Sequence, residues 1–412
     1  MDPCPARVES PWRFSSTGEG SMSITRRSFV GGALALGSAL ALGACAGSGD
    51  AGDSGSSGGA ASARVRERTA DPIERAKAIK VDAVGDVGRT KAFDLHCDTI
   101  DVTGMHDWEP YKSWPAIARS GDLASNDGEV DLARAASLAL CQGFSIWVPD
   151  EKWVSDSLGF YTAAAKYFKA QMSAHADKVT QVTDARKIPD VLESGKVAAV
   201  LTVESCSALR DSLDVVDTMA SDGVKMAGLT WNGTNALGGG RSTTEGLTDL
   251  GRKAVRRLEA RRIAVDAAHL SPESFSDLLE CRRRPILISH CASKAVCDVD
   301  RNATDDQFKS VVDDGGVVGV SFCTEFLTRR TKGTDVTFDE LMAHFEHFLD
   351  LGGEDCVCLG SDFDGASVPD WLKGVDKLGA FRAKMAERLG ESVTEKVFFQ
   401  NAYAFMVRNE TA

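Results

Sequence analysis

Residues 263–291 read IAVDAAHLSPESFSDLLECRRRPILISHC. Two apolar runs, IAVDAAHLS (263–271) and PILISHC (285–291), flank ESFSDLLECRRR (273–284), whose apolar residues recur at helical spacing. Strands joined through a helix run parallel, because a parallel pair needs a long crossover. Each run closes on a histidine, His269 and His290.

The same kind of run recurs on both sides. Upstream stand AFDLHCD (92–98), LALCQGFSIWV (138–148), KVAAVLTVES (196–205) and VKMAGLTWN (224–232). Downstream stand GVVGVSFC (316–323) and CVCLGSDFDG (356–365). LTDLGRKAVRRLEARR (247–262) is a second segment of helical period. Eight strands alternating with helices predict an α/β fold, a (β/α)8 TIM-like barrel spanning 71–412 as one domain. An open doubly wound sheet would need a Gly-rich first turn, and the chain has none there.

Polar residues mark the downstream ends of these runs: His96, Asp98, Glu204, His269, His290 and Asp362. In a barrel that rim carries the chemistry. His96 and Asp98 stand two apart on a strand and share a face. Such a pair alone more often marks a satisfied core histidine. Glu204 closes the apolar run AVLTV, where a carboxylate is costly to bury without a cation or hydrogen bonds. The chain has only seven histidines, and three lie at these ends. Two imidazoles, a His/Asp pair and one shared Glu make a ligand set for two divalent cations about 3.5–4 Å apart. Nitrogen and oxygen ligation without thiolate suits Zn2+, with Mn2+, Co2+ or Fe2+ as substitutes.

Lys+Arg 47 against Asp+Glu 60 leaves a net charge of −13. That disfavours nucleic acid as a partner, since phosphate binding needs a basic surface. Near the start, Arg26 and Arg27 precede the apolar run 30–42 and the small residues before Cys45. Residues 1–45 read as a twin-arginine lipoprotein signal peptide with Cys45 as its lipid-bearing cysteine. Residues 46–70, rich in Gly, Ser and Ala, read as a flexible linker. The expected location is the outer face of the cell membrane, reached by the twin-arginine route and held by the lipid alone. Beyond Cys45 no apolar run reaches the ~18 residues of a membrane-spanning helix. The scattered cysteines, among them Cys97, Cys141, Cys356 and Cys358, read as buried thiols.

DLHCD, VES, LTWN, DAAHLS, LISHC, RNATDD and GSDFDG, in this order, resemble the motifs of the membrane dipeptidase (renal dipeptidase) family of the amidohydrolase superfamily. The resemblance runs from about residue 92 to 405. It implies a zinc-dependent dipeptidase with two Zn2+ per chain and dipeptides as substrates. His96 and Asp98 would hold one ion, His269 and His290 the other, and Glu204 would bridge them. A hydroxide held between the ions would attack the peptide carbonyl, with Asp362 as acid and base. Arg301 would take the substrate carboxylate, a pairing that suits a guanidinium. A homodimer is also implied. The chain departs from the family at Trp231, which stands where the family has a histidine beside the substrate carbonyl. Indole offers one N–H and cannot carry a proton. Trp231 and Asn232 are therefore substrate-binding candidates, Asn232 as a replacement donor. Ser205–Cys206 and Ala268 are smaller departures.

Two alternatives stand beside this reading: an amidohydrolase acting on N-acyl amino acids or other amides, and a non-catalytic solute-binding lipoprotein. His344 and His347 are expected on an exposed or half-buried helix face. Gly238, Gly239 and Gly240 are expected to form a mobile lid, and Trp108, Trp147 and Trp153 are candidates for the pocket wall.

Overall fold

A computed structural model describes residues 71–150, 152–330 and 335–411. The signal expected over 1–45 and the linker expected over 46–70 lie outside the described residues. Nine strands follow in order: β1 Thr90–Cys97, β2 Leu138–Trp147, β3 Val179–Gln181, β4 Val197–Glu204, β5 Val224–Gly228, β6 Ala264–Asp266, β7 Leu287–Cys291, β8 Val317–Val320 and β9 Val357–Leu359. All paired strands are parallel. β1 pairs with β2 and β9, β2 pairs with β4, and β4 to β9 pair in sequence. Eight strands therefore close a ring, the (β/α)8 barrel expected from the eight apolar runs.

β3 stands outside that ring and adds to the start of β4 through Val179 opposite Val197. Its three residues, VTQ, are too short and polar to stand out as a run.

The intervening helices begin and end where their local chemistry dictates. Pro272–Cys281 starts at Ser271, whose hydroxyl accepts from the Ser274 N–H, with Pro272 in the first turn. Asp305–Asp314 opens on a reciprocal Thr304/Gln307 cap and closes at Gly315, whose φ of 73° suits glycine. A Ser or Thr cap of this kind contributes about 1 kcal/mol.

One apolar cluster gathers Phe93, Cys141, Val200, Met226, Ala264, Leu287, Val317 and Cys358 from eight strands. Phe405 and Met406 of the helix Asn401–Thr411 join it. With the early and middle strand positions filled by this cluster, the downstream ends are left for polar groups. All nine cysteines among the described residues are free and buried, as read for Cys97, Cys141, Cys356 and Cys358.

Candidate metal centre

The strands deliver His96, Asp98, Glu204, His269, His290 and Asp362 to one place, and all six are at least nine-tenths buried. Glu204 is the last residue of β4, and His290 lies within β7. His269 and Asp362 sit three residues beyond the ends of β6 and β9, so they lie on turns rather than on strands. Both turns are left-handed, with φ of 65° at His269 and 63° at Asp362. Ser205, after Glu204, and Asp364 share that conformation. Each such non-glycine residue carries strain on the order of 1–3 kcal/mol, which the surrounding packing sustains.

Glu204 is the hub. Its Oε1 lies 2.8 Å from His269 Nε2 and 3.9 Å from His290 Nε2. Its Oε2 lies 3.3 Å from His96 Nε2, which is 3.7 Å from Asp98 Oδ2. His269 Nε2 and His290 Nε2 are 3.0 Å apart. Three overlapping groups bring their ligand atoms within 4.8 Å: His96, Asp98 and Glu204; Glu204, His269 and His290; and His96, His290 and Asp362.

The outer nitrogens of two of these rings are committed. His290 Nδ1 meets Ser289 Oγ at 2.8 Å, and that hydroxyl donates to Asp266 Oδ2. Since Ser289 gives its proton to the carboxylate, it accepts from His290, and the His290 Nε2 lone pair faces the centre. His269 Nδ1 lies 2.9 Å from Asn232 Oδ1. Burial, helped by the Arg301 charge, pushes the His269 imidazole down to about 3. Burial and the neighbouring His96 push His290 well below its ordinary value. Two neutral rings therefore aim lone pairs at one carboxylate oxygen. Buried electron-rich atoms this close together could hold a cation between them. His96 Nε2 and Asp98 Oδ1 are likewise buried without a hydrogen-bond partner. Imidazole and carboxylate donors in this arrangement fit divalent cations of the zinc type.

Glu204 would rise on burial alone, but the positive charge and N–H that His269 and His96 present to it when protonated outweigh that and hold it low. Asp362 goes the other way: burial, with Asp98 and Glu204 close by, raises it to about 8. Two carboxyls with opposed tendencies meet in one site, the pattern of a fixed anion beside a proton carrier. Asp364 takes no part in the cluster. It accepts from Thr99 Oγ1 at 2.6 Å and from the Glu129 N–H at 2.7 Å.

Arg301 is buried beside this centre, its guanidinium over the Phe326 ring at 5.4 Å. Its Nε and Nη2 have no hydrogen-bond partner. Arg301, Arg241 and His269 line the same small cavity, of about 30 Å³. Trp231 lies 6.1 Å, centroid to centroid, from His269 and packs edge to face on Trp147 at 4.9 Å. Trp153 instead packs on Trp114, and Trp108 on Phe160.

Two expectations are corrected. Gly238, Gly239 and Gly240 are buried in a tight crossing, not a lid; a Cβ on Gly240 would stand 2.0 Å from the Trp231 carbonyl oxygen. His344 is fully buried rather than on an open face. It accepts from the Ser293 N–H and donates to the Leu327 carbonyl, each at 3.0 Å. Sequence reasoning missed Arg241, Ser289 and Asp266. Asp266, a lone acid in the apolar run IAVDAAH, was the readable signal.

The family model of membrane dipeptidases (peptidase family M19) matches residues 87–411. An uncharacterized protein from Klebsiella pneumoniae is 30% identical over 247 residues, covering 56% of this chain and 89% of its own. An uncharacterized dipeptidase of Schizosaccharomyces pombe is 32% identical, over 46% of each chain. Among solved structures, a dipeptidase of family M19 superposes with a TM-score of 0.69 at 25% identity, over 78% of this chain and 99% of its own. A Rhodobacter sphaeroides metallopeptidase, liganded with a phosphinate mimic of L-Ala-D-Ala, superposes at 0.68 and 24% identity, with the same coverage. The motif order, the barrel and the match over 87–411 agree, and the chain belongs to the membrane dipeptidase family, peptidase family M19.

Proposed function

We propose that this chain is a zinc-dependent dipeptidase holding two ions, and that short peptides are its substrates. The observation that carries the reading is the 3.0 Å approach of His269 Nε2 and His290 Nε2 beside Glu204. His96 and Asp98 would hold one ion, His269 and His290 the other, with Glu204 between them. Bound there, such ions polarise a carbonyl and make a water acidic enough to attack near neutral pH.

The chain's own residues do the rest. Asp362, raised to about 8 by burial, takes a proton at a carboxyl oxygen and returns it to the leaving amine. Arg301 clamps the free carboxylate of the substrate, since its buried guanidinium has donors to spare. That clamp restricts substrates to short peptides. Trp147 and Trp231 wall one side and exclude water. The relative solved with an L-Ala-D-Ala mimic supports a dipeptide substrate. Residues 25–45 support export by the twin-arginine route and lipid attachment at Cys45. A homodimer belongs to the same reading.

Trp231 favours a second reading, hydrolysis of N-acyl amino acids or other amides by the same centre. Indole offers a single N–H donor and cannot carry a proton, so it does not replace the histidine that the family has beside the substrate carbonyl. A panel of L-L and L-D dipeptides and N-acyl amino acids, assayed with and without chelator, tests both. Chelator-sensitive turnover of dipeptides is expected. Turnover of N-acyl amino acids alone would transfer the assignment to the second reading, and activity in protein devoid of transition metal would overturn both.

A further inference from the structure

We propose that Asn232 and Arg241 act as a pair to fix His269 in the one tautomer that can hold a metal ion, a role that rests on the metal reading above. Arg241 Nε lies 3.0 Å from Asn232 Oδ1. A guanidinium nitrogen only donates, so the Asn232 atom facing it is the oxygen. The same oxygen is 2.9 Å from His269 Nδ1. An oxygen already receiving one proton can only receive another, so His269 carries its hydrogen on Nδ1. Its Nε2 lone pair is thereby left toward Glu204 Oε1, 2.8 Å away.

The backbone holds this arrangement from both sides. The Arg241 N–H donates to the His269 carbonyl at 2.7 Å, and the Ser242 N–H to the Asn232 carbonyl at 2.9 Å. Gly240 permits the crossing that doubles the chain back. Arg241 is buried enough to be pushed down to about 10, with Arg301 adding to the effect. Without Arg241, the Asn232 amide is free to turn end for end. Its NH2 would then face Nδ1 and favour hydrogen on Nε2, which blocks ligation.

His290 achieves the same end differently, through Ser289 and Asp266. The two imidazoles thus have separate supports, which makes the proposal specific to one ion. Asn232 and Arg241 are positioning residues that act through His269. A pure substrate contact would change KM and leave ion affinity alone.

The test is stepwise competition of Zn2+ against a chromophoric chelator, using the full chain. Asn232→Leu is expected to weaken one ion 10–100-fold and to leave the other unchanged. Asn232→Asp keeps the acceptor oxygen and is expected to restore binding to within about threefold of wild type, a small part of that range. Arg241→Met, read in the same titration, is expected to weaken the same ion and covers the case of an Asn232→Leu chain that does not fold. Wild-type affinities in Asn232→Leu, or in Arg241→Met if that chain alone folds, would overturn the relay alone. A wild-type chain that holds no zinc overturns the metal reading and the relay with it.

Discussion

The backbone N–H of Asp362 donates to the carbonyl of His96 across 3.2 Å, and the Asp98 N–H returns a bond to Phe363 at 2.9 Å. The end of β1 and the turn after β9 are thereby stitched together. One level below, Ser361 gives both its N–H and its hydroxyl to Asp94. Asp362 is held against the metal-capable cluster by main chain, whatever its side chain does.

That separation makes Asp362→Asn a clean experiment. Asparagine tolerates the left-handed backbone at this position, where φ is 63°. Dipeptide turnover should fall 10²–10⁴-fold, the usual contribution of a positioned proton carrier. Zinc content, measured on the same sample, should remain that of wild type. Wild-type turnover would remove Asp362 from its role.

Arg301 offers a trade between stability and activity. Its guanidinium is buried with two nitrogens lacking hydrogen-bond partners, which destabilises a ligand-free chain. Arg301→Met should raise the melting temperature of the ligand-free protein. It should also reduce kcat/KM for dipeptides about 10–100-fold, the loss of one charge-assisted pair of roughly 1.5–3 kcal/mol. A variant less stable than wild type would contradict this account of the buried charge.

His344 gives the acid limb of stability. Burial pushes its imidazole down to about 4, and it stays neutral between Ser293 and Leu327. The unfolded chain takes up a proton near pH 6.5 that the folded chain refuses until about 4. Stability from this residue is complete above pH 6.5 and lost as pH falls toward 4, by roughly 3 kcal/mol. Denaturant titrations across that window should show the slope, and His344→Gln, which keeps a donor and an acceptor, should flatten it.

How much of this was legible beforehand follows from the physics of each residue. A parallel barrel buries its strands on both faces, so they read as continuous apolar runs, and all eight were found. The chemistry at their ends was legible because an acid or histidine closing such a run has no apolar reason to be there. β3 left no trace in VTQ. Nor did the sequence mark where β6 and β9 stop, because His269 and Asp362 look like strand residues and lie on left-handed turns. The direction of the Asn232 amide was equally hidden, since it is decided by Arg241 nine residues on and by His269. The glycines 238–240 suggested motion, yet they serve close backbone approach.

The left-handed residues have a consequence for anyone grafting this centre elsewhere. Ser205, His269, Asp362 and Asp364 hold the rim in a shape that ideal loops on a designed barrel do not offer. Transplanting six side chains onto such loops would copy the inventory and misplace the atoms. The unit of transfer is the bent main chain together with its side chains.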